Sequence, residues 1–229
     1  MRIKVYQIDH DMDGKRVRFE PMSIAQQHGG VDPSIYKTVF YGDVEADNLK
    51  DIFGICNTEV PGTYQGHSLS VSDVVEVLDD VPSVEKGCYF CEPAGFEKVD
   101  FDVSQCAGMD GKRVLFVTPH HTPLEIRIAN DLKSMQRAVG GLIEIVYPFD
   151  DDAILVCNEE GKLNGMDGNR RLEGDVIAGP FFIIRDDGEG GTADLTDEQV
   201  QKYARRFAEP EDISPEEIDE HLGFVFLSM

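Results

Sequence analysis

Arg113-Val114-Leu115-Phe116-Val117-Thr118-Pro119-His120-His121-Thr122-Pro123-Leu124-Glu125 is the stretch that decides the fold class. Arg113 to Thr118 is apolar and extended, as a buried strand is. Thr122 and Glu125 have the spacing of a capping box, with proline at the first helical position. Leu124, Ile128, Leu132, Met135 and Val139 then fall on one helical stripe, which Gly140-Gly141 stops. A strand followed by a long helix, with further strands expected near 142–147, 153–157 and 176–184, reads as α+β.

Upstream the pattern is of the same kind. Arg2 to Ile8 alternates as a strand, and Asp13-Gly14 reads as a hairpin turn into a second strand near 16–20. A strand follows at 36–42. Leu49, Ile52, Phe53 and Cys56 give one apolar helical face, with Asp47 as the expected cap. The block Gly66–Val75 begins with the alternation of a half-buried strand, and a strand at 87–91 turns at Glu92–Gly95. Residues 104–111 read as a linker. The domains expected are therefore 1–104, 105–187 and an acidic helical tail, 188–229, packing on the second domain. In that tail Thr196 with Gln199, and Ser214 with Glu217, form two capping boxes. Leu195/Val200 and Ile213/Ile218 are placed as hydrophobic staples. Gly188–Thr192 reads as a hinge, Asp150–Asp152 as a solvated turn, and Phe224–Leu227 as a closing strand. The hexapeptide Met-Asp-Gly-Lys-Arg-Val occurs twice, at 12–17 and 109–114, and reads as a reused turn-to-strand element.

Composition narrows the function. With 229 residues and 41% hydrophobic content, the chain can build its core without metal or disulfide. Five scattered cysteines argue against a disulfide framework. Cys88 and Cys91 have CxxC spacing but no second pair, and a strand would point them to opposite faces. Met1 leads straight into the strand-like run, and no apolar stretch approaches the roughly 20 residues of a membrane helix. A cytoplasmic protein with no membrane role is expected.

The net charge is −23, and residues 186–229 hold 13 acids against 3 bases. Direct nucleic-acid binding needs clustered Lys and Arg, so it is not expected. Attraction to a basic partner is. No catalytic residue, cofactor or metal site is expected. His67 beside Ser68, Ser70, Ser72 and Asp73 is too local a grouping to make a triad, and adjacent His120 and His121 point apart.

Val39-Phe40-Tyr41-Gly42, Gly66-His67-Ser68-Leu69-Ser70-Val71-Ser72-Asp73-Val74-Val75 and Gly95-Phe96 make residues 6–101 resemble the YodL-like family. Where that family's pattern has Tyr-Tyr-Val-Asp, this chain has Tyr89-Phe90-Cys91-Glu92. Leu132, Gln136, Val139-Gly140-Gly141, Ile143-Glu144, Asn158–Lys162, Asn169-Arg170 and Ile177–Phe181 make residues 114–184 resemble a second family, of unknown function, found in phage and plasmid proteins. Both resemblances imply a mobile-element setting and neither implies a catalytic residue.

Two functions follow as expectations. One is an accessory protein that binds a basic host protein, a DNA-handling factor, as a DNA-mimic anti-defence inhibitor. Its contact residues would be Asp194, Asp197, Glu198, Glu209, Glu211, Asp212, Glu216, Glu217, Asp219 and Glu220. Carboxylates three or four residues apart on a helix lie roughly 5–6 Å apart, close to the phosphate spacing of a DNA strand. The other is a regulatory module holding a small anion or nucleotide with Asn158, Asn169, Arg170 and Arg171, where Arg170 forks onto the anion.

Overall fold

The computed structural model describes residues 1–222. Two compact units divide the chain, Met1–Met109 and Asp110–Met229. Both are α+β, and every pair of named strands within them is antiparallel.

The first unit contains β1 (Arg2–Ile8), α1 (Met22–Gln27), β2 (Tyr36–Asp43), α2 (Leu49–Thr58), β3 (Val74–Val77), β4 (Gly87–Glu92) and β5 (Gly95–Val99). Its sheet runs β2-β1-β3-β4-β5. Alternation sends Ile3, Val5, Val75, Val77 and Tyr89 to one face, where Ile52 and Cys56 of α2 pack on them. Tyr6, Ile8, Val74, Cys88 and Phe90 face the other way, against Met22 and Phe101.

Several expectations fail here for local reasons. Residues 16–20 are no strand. The Asp13 carboxylate accepts from the amides of Val17 (2.9 Å) and Arg18 (3.1 Å), and Arg16 and Phe19 sit at φ 55° and 67°. Of the Gly66–Val75 block only Val74 and Val75 are in a strand. Ser72 takes φ 75°, and Asp73 caps the amide of Ser70 at 2.8 Å. The cap of α2 is Asn48, not Asp47. The unit also runs past residue 104, because Ala107 exchanges main-chain bonds with Tyr36 and Thr38.

The second unit contains β6 (Lys112–Val117), β7 (Leu124–Ile128), α3 (Leu132–Val139), β8 (Ile143–Val146), β9 (Ala153–Asn158), β10 (Gly168–Leu172), β11 (Asp175–Ala178), β12 (Phe181–Asp186), β13 (Thr192–Ala193), α4 (Asp197–Arg206) and α5 (Pro215–Leu222). The main sheet runs β7-β6-β12-β9-β8, with β13 on β12, and β10-β11 is a separate hairpin. Leu115, Val117, Leu155, Phe181 and Ile183 pack under Val200, Tyr203 and Phe207 at α4.

The largest correction lies at 122–139. Leu124 to Ile128 is a strand, and the helix is only Leu132–Val139. A four-residue spacing is even, so Leu124 and Ile128 fit a strand face as well as a helical stripe. Ile126, which the stripe ignores, is buried with them, while Leu132, which the stripe needs, is 58% exposed. Asp131 supplies the true cap through Ser134, and Gly140 closes the helix at φ 76°. The run 176–184 is likewise two strands, broken at Gly179-Pro180.

The tail is part of this unit, with α4 inside its core. Gly188–Thr192 is a tight turn in which the Asp186 and Asp187 carboxylates accept the amides of Gly188, Glu189 and Gly191. Asp150–Asp152 form an exposed bend between β8 and β9, as expected, and Asp151 and Asp152 in addition accept from Tyr203, Lys202 and Gln199 of α4. The expected strand at 224–227 lies outside the described residues. The two hexapeptides diverge: Lys15-Arg16-Val17 leaves a turn as irregular backbone, whereas Lys112-Arg113-Val114 opens β6. No helix among the described residues is long and apolar enough to cross a membrane.

Candidate functional site

The polar constellation of the second unit is built on β10. Adjacent strand residues point to opposite faces, so Arg170 goes in and Arg171 goes out. Arg170 is 1% exposed. Its guanidinium donates to the carbonyls of Phe207 (2.9 Å), His121 (2.8 Å) and Asn169 (2.9 Å), and to Asn169 Oδ1 (2.9 Å). Burial draws its pKa down from the usual arginine value. Asn169 is fully buried and donates to Val117 O and Gly179 O. Asn158 donates to Val139 O and accepts the amide of Glu160. These three side chains tie together β6, β10, α3 and the end of α4, and no fork is left over for an anion. Asn158, Asn169 and Arg170 are thus engaged within the protein and Arg171 is held by Glu211 and Glu217, so the structure does not bring the four residues of the expected anion or nucleotide site together as one group.

Arg171 organises the acidic segment. It holds Glu217 of α5 through two bonds of 2.6 Å and Glu211 at 2.8 Å, and it donates to the carbonyl of Asp212. The guanidinium holds the Glu217 carboxyl below its ordinary range. Gly168, three residues before, is where Ile213 rests; a Cβ there would collide with the Ile213 side chain. Ile213 and Ile218 bury against Val176, completing the expected staple. At α4 both arms of the expected capping box form between Thr196 and Gln199.

The ten expected contact acids thus divide. Asp194 pairs with Arg127, Asp197 with Arg113, and Glu211 and Glu217 with Arg171. Glu198, Glu209, Asp212, Glu216, Asp219 and Glu220 are exposed and make no ion pair among the described residues. Glu216, Asp219 and Glu220 share the solvent face of α5, opposite Ile218. Their spacings of three and four residues set like charges against one another.

A second polar cluster, in the first unit, is more tightly built than its sequence suggests. Gln7 is 4% exposed and donates to Asp73 Oδ2 (2.9 Å) and to the His67 carbonyl (2.8 Å), while its own oxygen accepts the His67 amide. Asp73 is 0% exposed, and burial pushes its carboxyl up to about 8, against the opposing pull of Ser70 and Gln7. Burial moves His67 the other way, downward. Ser70 Oγ donates to Ser68 O, and Ser72 Oγ accepts the Phe19 amide, so neither hydroxyl meets the imidazole. Among the described residues, buried side-chain atoms without a partner are Arg18 Nε, His67 Nε2 and Asp73 Oδ1, all in this region. Gln7, which also bonds Tyr64 at 3.2 Å, is illegible as a member of this cluster because it stands 60 positions from His67 in sequence.

Cys88 and Cys91 are both buried and free, and burial pushes their thiols up to about 11 and about 12. No group of metal ligands exists among the described residues. A cleft of about 490 Å³, lined by Leu49, Phe53, Val84, Pro93 and Phe96, lies between α2 and the β4–β5 hairpin.

Compared with known families, residues 2–101 match the YodL-like domain. Residues 112–208 match a domain of unknown function, DUF3846. The second match ends two residues after α4, so Glu209 to Glu220 lie beyond both. No curated protein and no solved structure matches the chain.

Proposed function

We propose that this chain, a YodL-like domain followed by DUF3846, is a non-catalytic binding protein that docks a basic partner on the acidic segment around α4 and α5. The observation that carries the proposal is six exposed carboxylates with no ion pair among the described residues, Glu198 on α4 and the other five on the stretch 209–220 that Arg171, Gly168 and the Ile213–Ile218 staple hold. Floating acids would lose conformational entropy on binding, whereas these are already placed. Crowding Glu216, Asp219 and Glu220 on one face works against the stability of α5, and a cationic partner would relieve it. Spacing close to that of DNA phosphates favours a DNA-handling partner and inhibition by occupying its DNA groove. The finer role is that of an anti-defence accessory of a mobile element in the cytoplasm.

The test is binding of the full chain to purified basic DNA-binding proteins, competed with duplex DNA. Affinity should fall steeply as salt rises. The sixfold variant Glu198→Gln, Glu209→Gln, Asp212→Asn, Glu216→Gln, Asp219→Asn, Glu220→Gln should melt no lower than the parent and bind far more weakly. Unchanged binding by that variant would remove the proposal.

A further inference from the structure

We propose that β8 is a self-association edge, on which β8 of a second copy adds in antiparallel register centred on Ile145. Among the described residues, β8 ends the main sheet and pairs with β9 alone. The amide of Glu159 donates to Leu142 O at 2.9 Å, continuing that ladder. Antiparallel pairs alternate between bonded and non-bonded. Glu144 and Val146 therefore turn their main-chain groups toward β9, and Ile143, Ile145 and Tyr147 turn theirs outward.

Edges of this kind are normally guarded by lysine, proline or a bulge. β5 carries Glu97 and Lys98, and β7 carries Glu125 and Arg127. β8 carries one charge, Glu144, and on its other face Ile145 is 44% exposed and the following Tyr147 68% exposed.

The pattern Ile143-x-Ile145-x-Tyr147 is what commits the occupant to a second copy. Centring the pairing on Ile145 sets Ile145 against Ile145 of the second copy and Ile143 against Tyr147, twice over. All three outward residues then exchange main-chain bonds. Glu144 faces Val146 of the second copy. Centring on Glu144 would set two carboxylates directly opposite, which is unfavourable. The two copies would share one continuous sheet. Each copy carries −23, so long-range repulsion opposes the pairing and salt relieves it. This is the reverse of the salt response expected of the acidic segment.

Sedimentation equilibrium of the full chain reads the association. The expected result is a reversible dimer that tightens between about 50 mM and about 500 mM salt. Ile145→Lys should raise its dissociation constant more than about tenfold with an unchanged melting temperature. Mild oxidation tests the register. A central bonded pair has its Cα atoms about 5.5 Å apart, inside the disulfide range of about 4.4–6.8 Å. Ile145→Cys should cross-link well above the unsubstituted chain, and Glu144→Cys should not. A chain that stays monomeric at high concentration and high salt overturns the proposal. So does association that weakens with salt, or cross-linking that is equal at the two positions.

Discussion

Asp73 is a carboxyl that the first unit keeps dry, and its titration has a definite sign. Its folded pKa of about 8 lies above the ordinary 3.8. Between those values the folded state holds a proton that the unfolded state has released, so rising pH through this window lowers stability. Asp73→Asn mimics the neutral acid. Its stability relative to the parent should climb from about pH 5 to about pH 8, read as the difference in urea midpoint for the first unit. A flat difference would mean that Asp73 is ionised at neutrality. Arg170→Met should cost roughly 3 kcal/mol, because it strands buried carbonyls at Phe207, His121 and Asn169. Denaturant unfolding of the second unit measures it. The sequence presents Arg170 and Arg171 as one dipeptide, which reads as an anion fork. β10 is flanked by glycines and looks like a loop in sequence, whereas a strand sends these neighbours to opposite sides, Arg170 inward and Arg171 outward.

Among the elements, α4 was legible because its signals are local. Thr196, Gln199, Leu195 and Val200 each do what the spacing says. Thr196→Ala should lower the stability of the second unit by about 1 kcal/mol, seen as an earlier melting transition. β7 was illegible for the opposite reason. Its residues suit helix and strand alike, and the choice is made by β6, which pairs Arg113 with Arg127 and Leu115 with Glu125. Glu125, read as half of a capping box, instead makes a cross-strand ion pair with Arg113. Long-range pairing outweighs local propensity here. α1 was missed because six residues after a proline carry too short a period to detect.

Each unit has its own core, and each exceeds the size at which small domains need a staple. Residues 1–109 and 110–229, produced separately, should each give a single cooperative transition by circular dichroism. A fragment that melts without cooperativity would mean that its unit depends on the rest of the chain. The two-domain organisation was visible in sequence because the strand-and-helix pattern restarts after a polar stretch. The division at 109/110 falls inside the stretch that reads as a linker, 104–111, but that Ala107 belongs with the first unit is illegible, because its attachment to Tyr36 and Thr38 is a matter of distant pairing. Of the candidate contact surface, the acids themselves could be read directly. Which of them Arg113, Arg127 and Arg171 would silence could not, since those partners lie 40 to 84 positions away.

The doubled hexapeptide gives the chain an internal calibration. Lys15 and Lys112, Arg16 and Arg113, Val17 and Val114 have identical covalent surroundings on their N-terminal side, yet Arg16 is left-handed and Arg113 is extended. Any spectroscopic difference between the members of each pair reports conformation with chemistry nearly cancelled. Isotope-labelled arginine or valine would turn that coincidence of spelling into a gauge of whether both copies keep their separate shapes as the protein is heated, bound or cut.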